Sequence, residues 1–123
     1  MKALLYVFLG GGLGSMLRYL VGIYTASFTT SFPYGTFIVN IIGSFIIGII
    51  FGLTLKNTSQ SGDLILLLII GFCGGFTTFS SFAFENYNFL KNGEITVFAT
   101  YTIASIVLGL SAVFLGLWIS KLF

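Results

Sequence analysis

Four apolar runs, each long enough to cross a bilayer, leave this chain few folds to choose from. A hydrocarbon core of ~30 Å takes ~20 residues of helix, and runs of that order occupy roughly residues 2–24, 33–56, 64–90 and 94–121. Backbone in lipid must satisfy its own hydrogen bonds, so the runs are expected to form an all-α membrane protein with four transmembrane helices. The connections are short. ASFTTSF ends at Pro33, a residue suited to open a helix; KNTSQSGD is the most polar stretch and predicts a surface loop; KNGE predicts a tight turn. Residues 1–123 therefore read as a single four-helix transmembrane domain with no soluble domain appended.

Composition agrees, with 57% hydrophobic and 7% charged residues and a mean hydropathy of +1.10, far from soluble globular domains. The chain has no histidine, the usual proton carrier near neutral pH. Its one cysteine, Cys73, forms neither an intrachain disulfide nor a cysteine metal cluster. A net charge of +2 supplies no basic patch for nucleic acid. The Met-Lys start and apolar run are like a secretory leader, but Arg18 interrupts the run, and the segment is expected to stay.

With four crossings, Lys2, Lys56 and Lys121 fall on one side and Arg18 and Lys91 on the other. This near balance gives almost no positive-inside bias and permits insertion in both orientations. Two copies could then pair antiparallel, a two-chain version of a transporter's inverted repeats. Four short helices hardly enclose a pore, which also favours an oligomer. Gly10-x-x-x-Gly14, Gly48-x-x-x-Gly52 and Gly71-x-x-x-Gly75 offer faces for close packing, although glycine is also simply common in membrane helices.

Polar groups at membrane depth carry the functional argument. The third run contains GFCGGFTTFSSFAFE, residues 71–85. Its Gly-Gly pair weakens a helix, Thr77 and Thr78 are β-branched, and the hydroxyls can satisfy freed carbonyls. A break is therefore expected at GGFTTFSS, exposing backbone groups that can hold an ion; a mere kink is the plainer alternative. In the second run Asn40 is costly unless paired, and it shares a helical face with Thr36 and Gly43, with Ser44 beside them. Tyr101, Ser105 and Gly109 repeat that spacing in the fourth run. Phe76, Phe79 and Phe82 recur every third residue; ring edges are positive and can face an anion, although such rows more often pack. Arg18 should pair, snorkel or cap carbonyls, and Glu85 is expected near the opposite interface.

The motifs GGGLGSMLRY, YGTFIVNIIGSFIIG and GFCGGFTTFSSFAFE, in this order and in a chain of this size, resemble the Fluc (CrcB) family of fluoride channels along nearly the full length. The resemblance implies a dual-topology antiparallel homodimer in the inner (plasma) membrane of a bacterium, with two fluoride pores and a central structural sodium ion. It implies that main-chain carbonyls of Gly74 and Thr77 from each chain hold the sodium and that Phe79 and Phe82 meet fluoride with their edges. Asn40 would supply an amide donor, and Ser80 and Ser105, with Thr36 and Tyr101, would line a hydroxyl track. Arg18 would serve a positive vestibule or the fold. Position 109 departs from the hydroxyl found in some relatives, so Ser111 or bound water is expected to compensate.

The expected function is passive export of fluoride, which enters acid-exposed cells as HF and is trapped as the anion, and hence fluoride resistance. Two other functions suit a chain of this size. A small dual-topology multidrug exchanger would need a carboxylate in the first helix, which is absent here. An accessory membrane subunit would move no ion by itself. An enzyme is not expected, because the sequence holds no carboxylate pair, Ser/His constellation or phosphate loop.

Overall fold

The computed structural model describes residues 1–28, 31–56 and 62–123. Thr29 and Thr30 of the first connection, and residues 57–61 of the polar loop expected at 56–63, lie outside the described residues. Helix α1 runs over Lys2–Thr25 and α2 over Tyr34–Lys56. Pro33 stands just before α2, its carbonyl accepting from the Phe37 N–H at 3.1 Å. The third span is composite: a short α3 (Gly62–Ile65), a π-helical segment (Leu66–Cys73), α4 (Gly74–Phe76) and, after two extended residues, α5 (Phe79–Lys91). Helix α6 covers Ile95–Ser120. These elements make four helical stretches long and apolar enough to cross a membrane, and the described residues contain no strand.

The turn between α5 and α6 forms as its sequence suggests. Gly93 adopts φ +75°, a left-handed conformation cheap only for glycine. The Glu94 N–H then reaches back to the Phe89 carbonyl at 2.8 Å, closing the helix end.

Lipid tails are as apolar as leucine, so helices in a membrane associate through close packing and polar contacts. Two pairs pack most extensively, α2 with α6 and α1 with the π-helical segment. At each seam backbones touch. A methyl on Gly14 would strike the Phe72 carbonyl and lie 2.7 Å from the Phe76 nitrogen, and one on Gly75 would stand 2.9 Å from Cα of Gly11. In the other pair, a methyl on Gly116 would strike the Phe45 carbonyl and lie 2.8 Å from the Ile49 nitrogen, while Gly48 abuts Val113. The glycine spacings are thus packing seams. Among the described residues, Val39, Cys73, Phe76, Phe89, Tyr101 and Ala112 are the buried apolar side chains, whereas Phe8, Phe79 and Phe114 are exposed.

The break falls inside the expected octapeptide, but the glycines do not make it. Gly74 is helical, with φ −63° and ψ −37°, and Gly75 lies within α4 against α1. The extended residues are Thr77 (φ −81°, ψ 160°) and Thr78 (φ −151°, ψ 116°). The Gly-Gly pair brings the backbone of α1 close, and the two threonines interrupt the helix.

Candidate functional site

An interrupted helix leaves carbonyls at one end and N–H groups at the other without partners, and inside a membrane each costs several kcal/mol if unmet. Side chains of α1, of α2 and of the break itself meet that demand here. Asn40 of α2 binds the Thr78 backbone on both sides: its Oδ1 accepts from the Thr78 N–H at 2.8 Å and its Nδ2 donates to the Thr78 carbonyl at 3.1 Å. Arg18 of α1 donates from Nη1 to the Thr77 carbonyl at 3.0 Å, placing a cation at the negative end of a helix. Thr78 caps α5 with its own hydroxyl, which accepts from the Ser81 N–H at 3.3 Å. The Thr77 N–H and hydroxyl both return to the Cys73 carbonyl, at 2.9 and 2.8 Å.

Two cavities meet at this break, and Thr78 lines both. The wider, about 610 Å³, is a vestibule walled by Arg18, Thr36, Ser81 and Glu85 among others. The narrower, about 340 Å³, is walled by Asn40, Ser44, Phe79, Phe82 and Ser105, with Gly43, Ile47, Thr77 and Ile106 completing it. The rings of Phe79 and Phe82 stand 5.9 Å apart and are tilted by 42°. Phe79 is 79% exposed, so this chain leaves the cavity open on that side. The narrower cavity has no ionisable lining residue. Its polarity comes from the second N–H of Asn40, from hydroxyls and from the positive N-terminal end of α5. Ser105 Oγ is buried without a hydrogen-bond partner among the described residues.

Several expected site residues take other positions. Tyr101 is 0% exposed, enclosed by Phe32, Phe82 and Phe89 at centroid distances of 5.3, 5.1 and 6.0 Å, and lines neither cavity. Its hydroxyl donates to Glu85 Oε2 at 2.7 Å, and Thr36 donates to Glu85 Oε1 at 2.6 Å. Both hydroxyls donate to a carboxylate, so in this arrangement neither is free to donate to a passing ion. Ser80 is exposed, pairs with the Thr78 hydroxyl at 3.2 Å, and lines neither cavity. Ser111 is also exposed and away from both. The side-chain atom nearest the position a Cβ at Gly109 would take is Ser44 Oγ, at 3.9 Å.

Glu85 is the residue whose partners sequence reasoning missed. It is held between α2 and α6 by Thr36, in the first turn of α2, and by Tyr101. The signal was available: both hydroxyls fell on the polar stripes, and a carboxylate two turns into a helix beginning at a mid-membrane break cannot lie far from them.

Residues 5–117 match the family described as CrcB-like protein, Camphor Resistance (CrcB). The chain belongs to the CrcB family. Among its relatives, proteins named "Fluoride-specific ion channel FluC" from Phocaeicola vulgatus and Gloeothece citriformis are 51% and 52% identical to it, each alignment covering 98% of this chain and 100% and 98% of the relative. A third of that name, from Flavobacterium psychrophilum, is 45% identical over 98% of both chains. By name the CrcB relatives are channels and not enzymes.

The CrcB resemblance also implied a sodium ion, and the carbonyls can be judged for it. In a continuous helix the Thr78 N–H would close onto the Gly74 carbonyl; here it is turned to Asn40, and Gly74 is exposed. Neutral carbonyl oxygens suit a hard monovalent cation. The Gly74 carbonyl fits that part, whereas the Thr77 carbonyl already accepts from Arg18.

Proposed function

We propose that this chain is a fluoride channel, passive and electrogenic, working as an antiparallel homodimer with a pore on each side of the dimer and exporting fluoride from the cell. The observation that carries the reading is the narrower cavity. It has the Phe79 and Phe82 rings, the Asn40 amide and the unpartnered Ser105 hydroxyl, in a chain whose relatives are named for fluoride. Fluoride is small and strongly hydrated, so its path must replace water with closely spaced donors. Hydroxyls, an amide and ring edges do this without the tight binding a fixed charge would bring, and conduction requires sites weak enough to leave. Arg18 makes the vestibule attractive to anions, and Thr78 passes the ion from the vestibule to the rings.

A second copy would complete the wall facing Phe79. A sodium ion between the copies, on the Gly74 and Thr77 carbonyls of each, would stabilise the interface without charged ligands. In that state Arg18 would share or release the Thr77 oxygen.

The test is fluoride efflux from liposomes holding the purified protein, with chloride as control and Phe79→Ile and Asn40→Asp alongside. Rapid electrogenic loss of fluoride, not shared by chloride and abolished in both variants, is the expected result. No fluoride flux from a well-folded dimer would overturn the reading in favour of an accessory subunit.

A further inference from the structure

Hydroxyls in a membrane helix usually donate to a carbonyl one turn back, and this chain follows the habit at Thr25, which donates to the Val21 carbonyl at 2.8 Å, and at Thr54, which donates to Ile50 at 2.8 Å. Ser44 and Ser105 do not. Both line the narrower cavity, one from α2 and the other from α6, and among the described residues neither has a hydrogen-bond partner. A hydroxyl held at membrane depth without a partner forfeits free energy unless something that passes through the cavity restores it.

Gly109 explains why the α2 hydroxyl is free to serve. With no side chain there, Ser44 Oγ comes within 3.9 Å of the position that Cβ of residue 109 would occupy, and Ile41 Cδ1 lies at 4.0 Å. These are ordinary contact distances, so the gap would also admit a small side chain from α6. Resting on the channel reading above, we infer that Ser44 is a further residue of the fluoride path, donating a hydrogen bond from its hydroxyl to the dehydrated ion opposite Ser105 in the space that Gly109 leaves open. A hydroxyl can serve an ion of either sign. The cavity's lack of a carboxylate, the remaining Asn40 N–H and the N-terminal end of α5 set the sign for an anion.

The experiment measures fluoride efflux from liposomes for the parent protein, Ser44→Ala, Ser44→Thr and the double variant Ser44→Ala/Gly109→Ser, each first shown to be a homogeneous dimer by size exclusion. Losing one hydrogen bond to a charged group should slow the passage by roughly tenfold or more. Ser44→Ala is therefore expected to be slowed by about that factor, Ser44→Thr to stay near the parent rate, and Gly109→Ser to restore most of the loss by returning a hydroxyl from the facing helix. A Ser44→Ala protein that conducts at the parent rate overturns the assignment while leaving the channel reading intact. So does a slowed Ser44→Ala protein that Gly109→Ser cannot restore. A parent protein that carries no fluoride overturns the channel reading and this inference with it.

Discussion

Asn40 and Glu85 are each tied at two points, and what those ties hold differs. Asn40 satisfies the Thr78 N–H and carbonyl, so Asn40→Leu strands two backbone groups of a buried residue. Each stranded group costs about 1–3 kcal/mol, and the loss should appear as a lowered unfolding free energy in detergent titration; an unchanged midpoint would show that the break does not depend on Asn40. Glu85 has a spare partner, because Thr36 and Tyr101 hold separate oxygens. Thr36→Val or Tyr101→Phe alone leaves the carboxylate one donor, while together they leave it neither. The double variant should therefore lose more stability than the sum of the singles, by roughly 0.5–3 kcal/mol, in the same titration. Strict additivity would show that the two hydroxyls act on Glu85 independently.

The glycines of α1 divide cleanly by what each faces. Gly14 lies on the backbone of the third span, where a methyl would strike the Phe72 carbonyl and stand 2.7 Å from the Phe76 nitrogen; Gly12 has nothing within 4 Å. Backbone cannot step aside as a flexible side chain can, so Gly14→Ala must push α1 off α4 and move Arg18 away from Thr77. Gly12→Ala should be neutral or stabilise by up to about 1 kcal/mol through helix propensity. Measured side by side, Gly14→Ala should lose folded protein and fluoride flux and Gly12→Ala neither. Equal behaviour would mean that the seam does not hold the break in place.

These same glycines mark how far the sequence is legible. Four spans, the break within residues 74–81 and the polar stripes followed from hydropathy and spacing. The role of Gly74 and Gly75 did not, because a glycine that loosens a helix and one that admits a neighbouring backbone look alike until the neighbour is known. The π-helical turns over Leu66–Cys73 left no mark either, since a run of leucine and isoleucine suits a narrow helix equally well. Ser44 was seen beside the Asn40 stripe, but only the gap at Gly109 on another helix showed what its hydroxyl faces.

At the scale of the whole molecule, the dimer proposed above rests on what a single chain leaves open. Phe79 lines the narrower cavity from one side only and is 79% exposed, and the Gly74 carbonyl has lost its helical donor at an exposed position. A second copy in the same orientation would bring both chains' vestibules to one face of the membrane. An antiparallel copy would put one on each face, which suits two pores and matches the near balance of Lys2, Lys56 and Lys121 against Arg18 and Lys91. Orientation can be measured directly with Lys2→Cys in a Cys73→Ser background. Cys73 is buried beside the break, and its removal leaves one thiol at the exposed N-terminal end of α1. In intact cells an impermeant maleimide should label about half of the protein if the two orientations insert equally, as the weak charge bias allows, with the remainder labelled only after permeabilisation. All-or-none labelling in intact cells would show a single orientation. The two vestibules would then open on one face, and the antiparallel dimer would fall even if fluoride flux were observed.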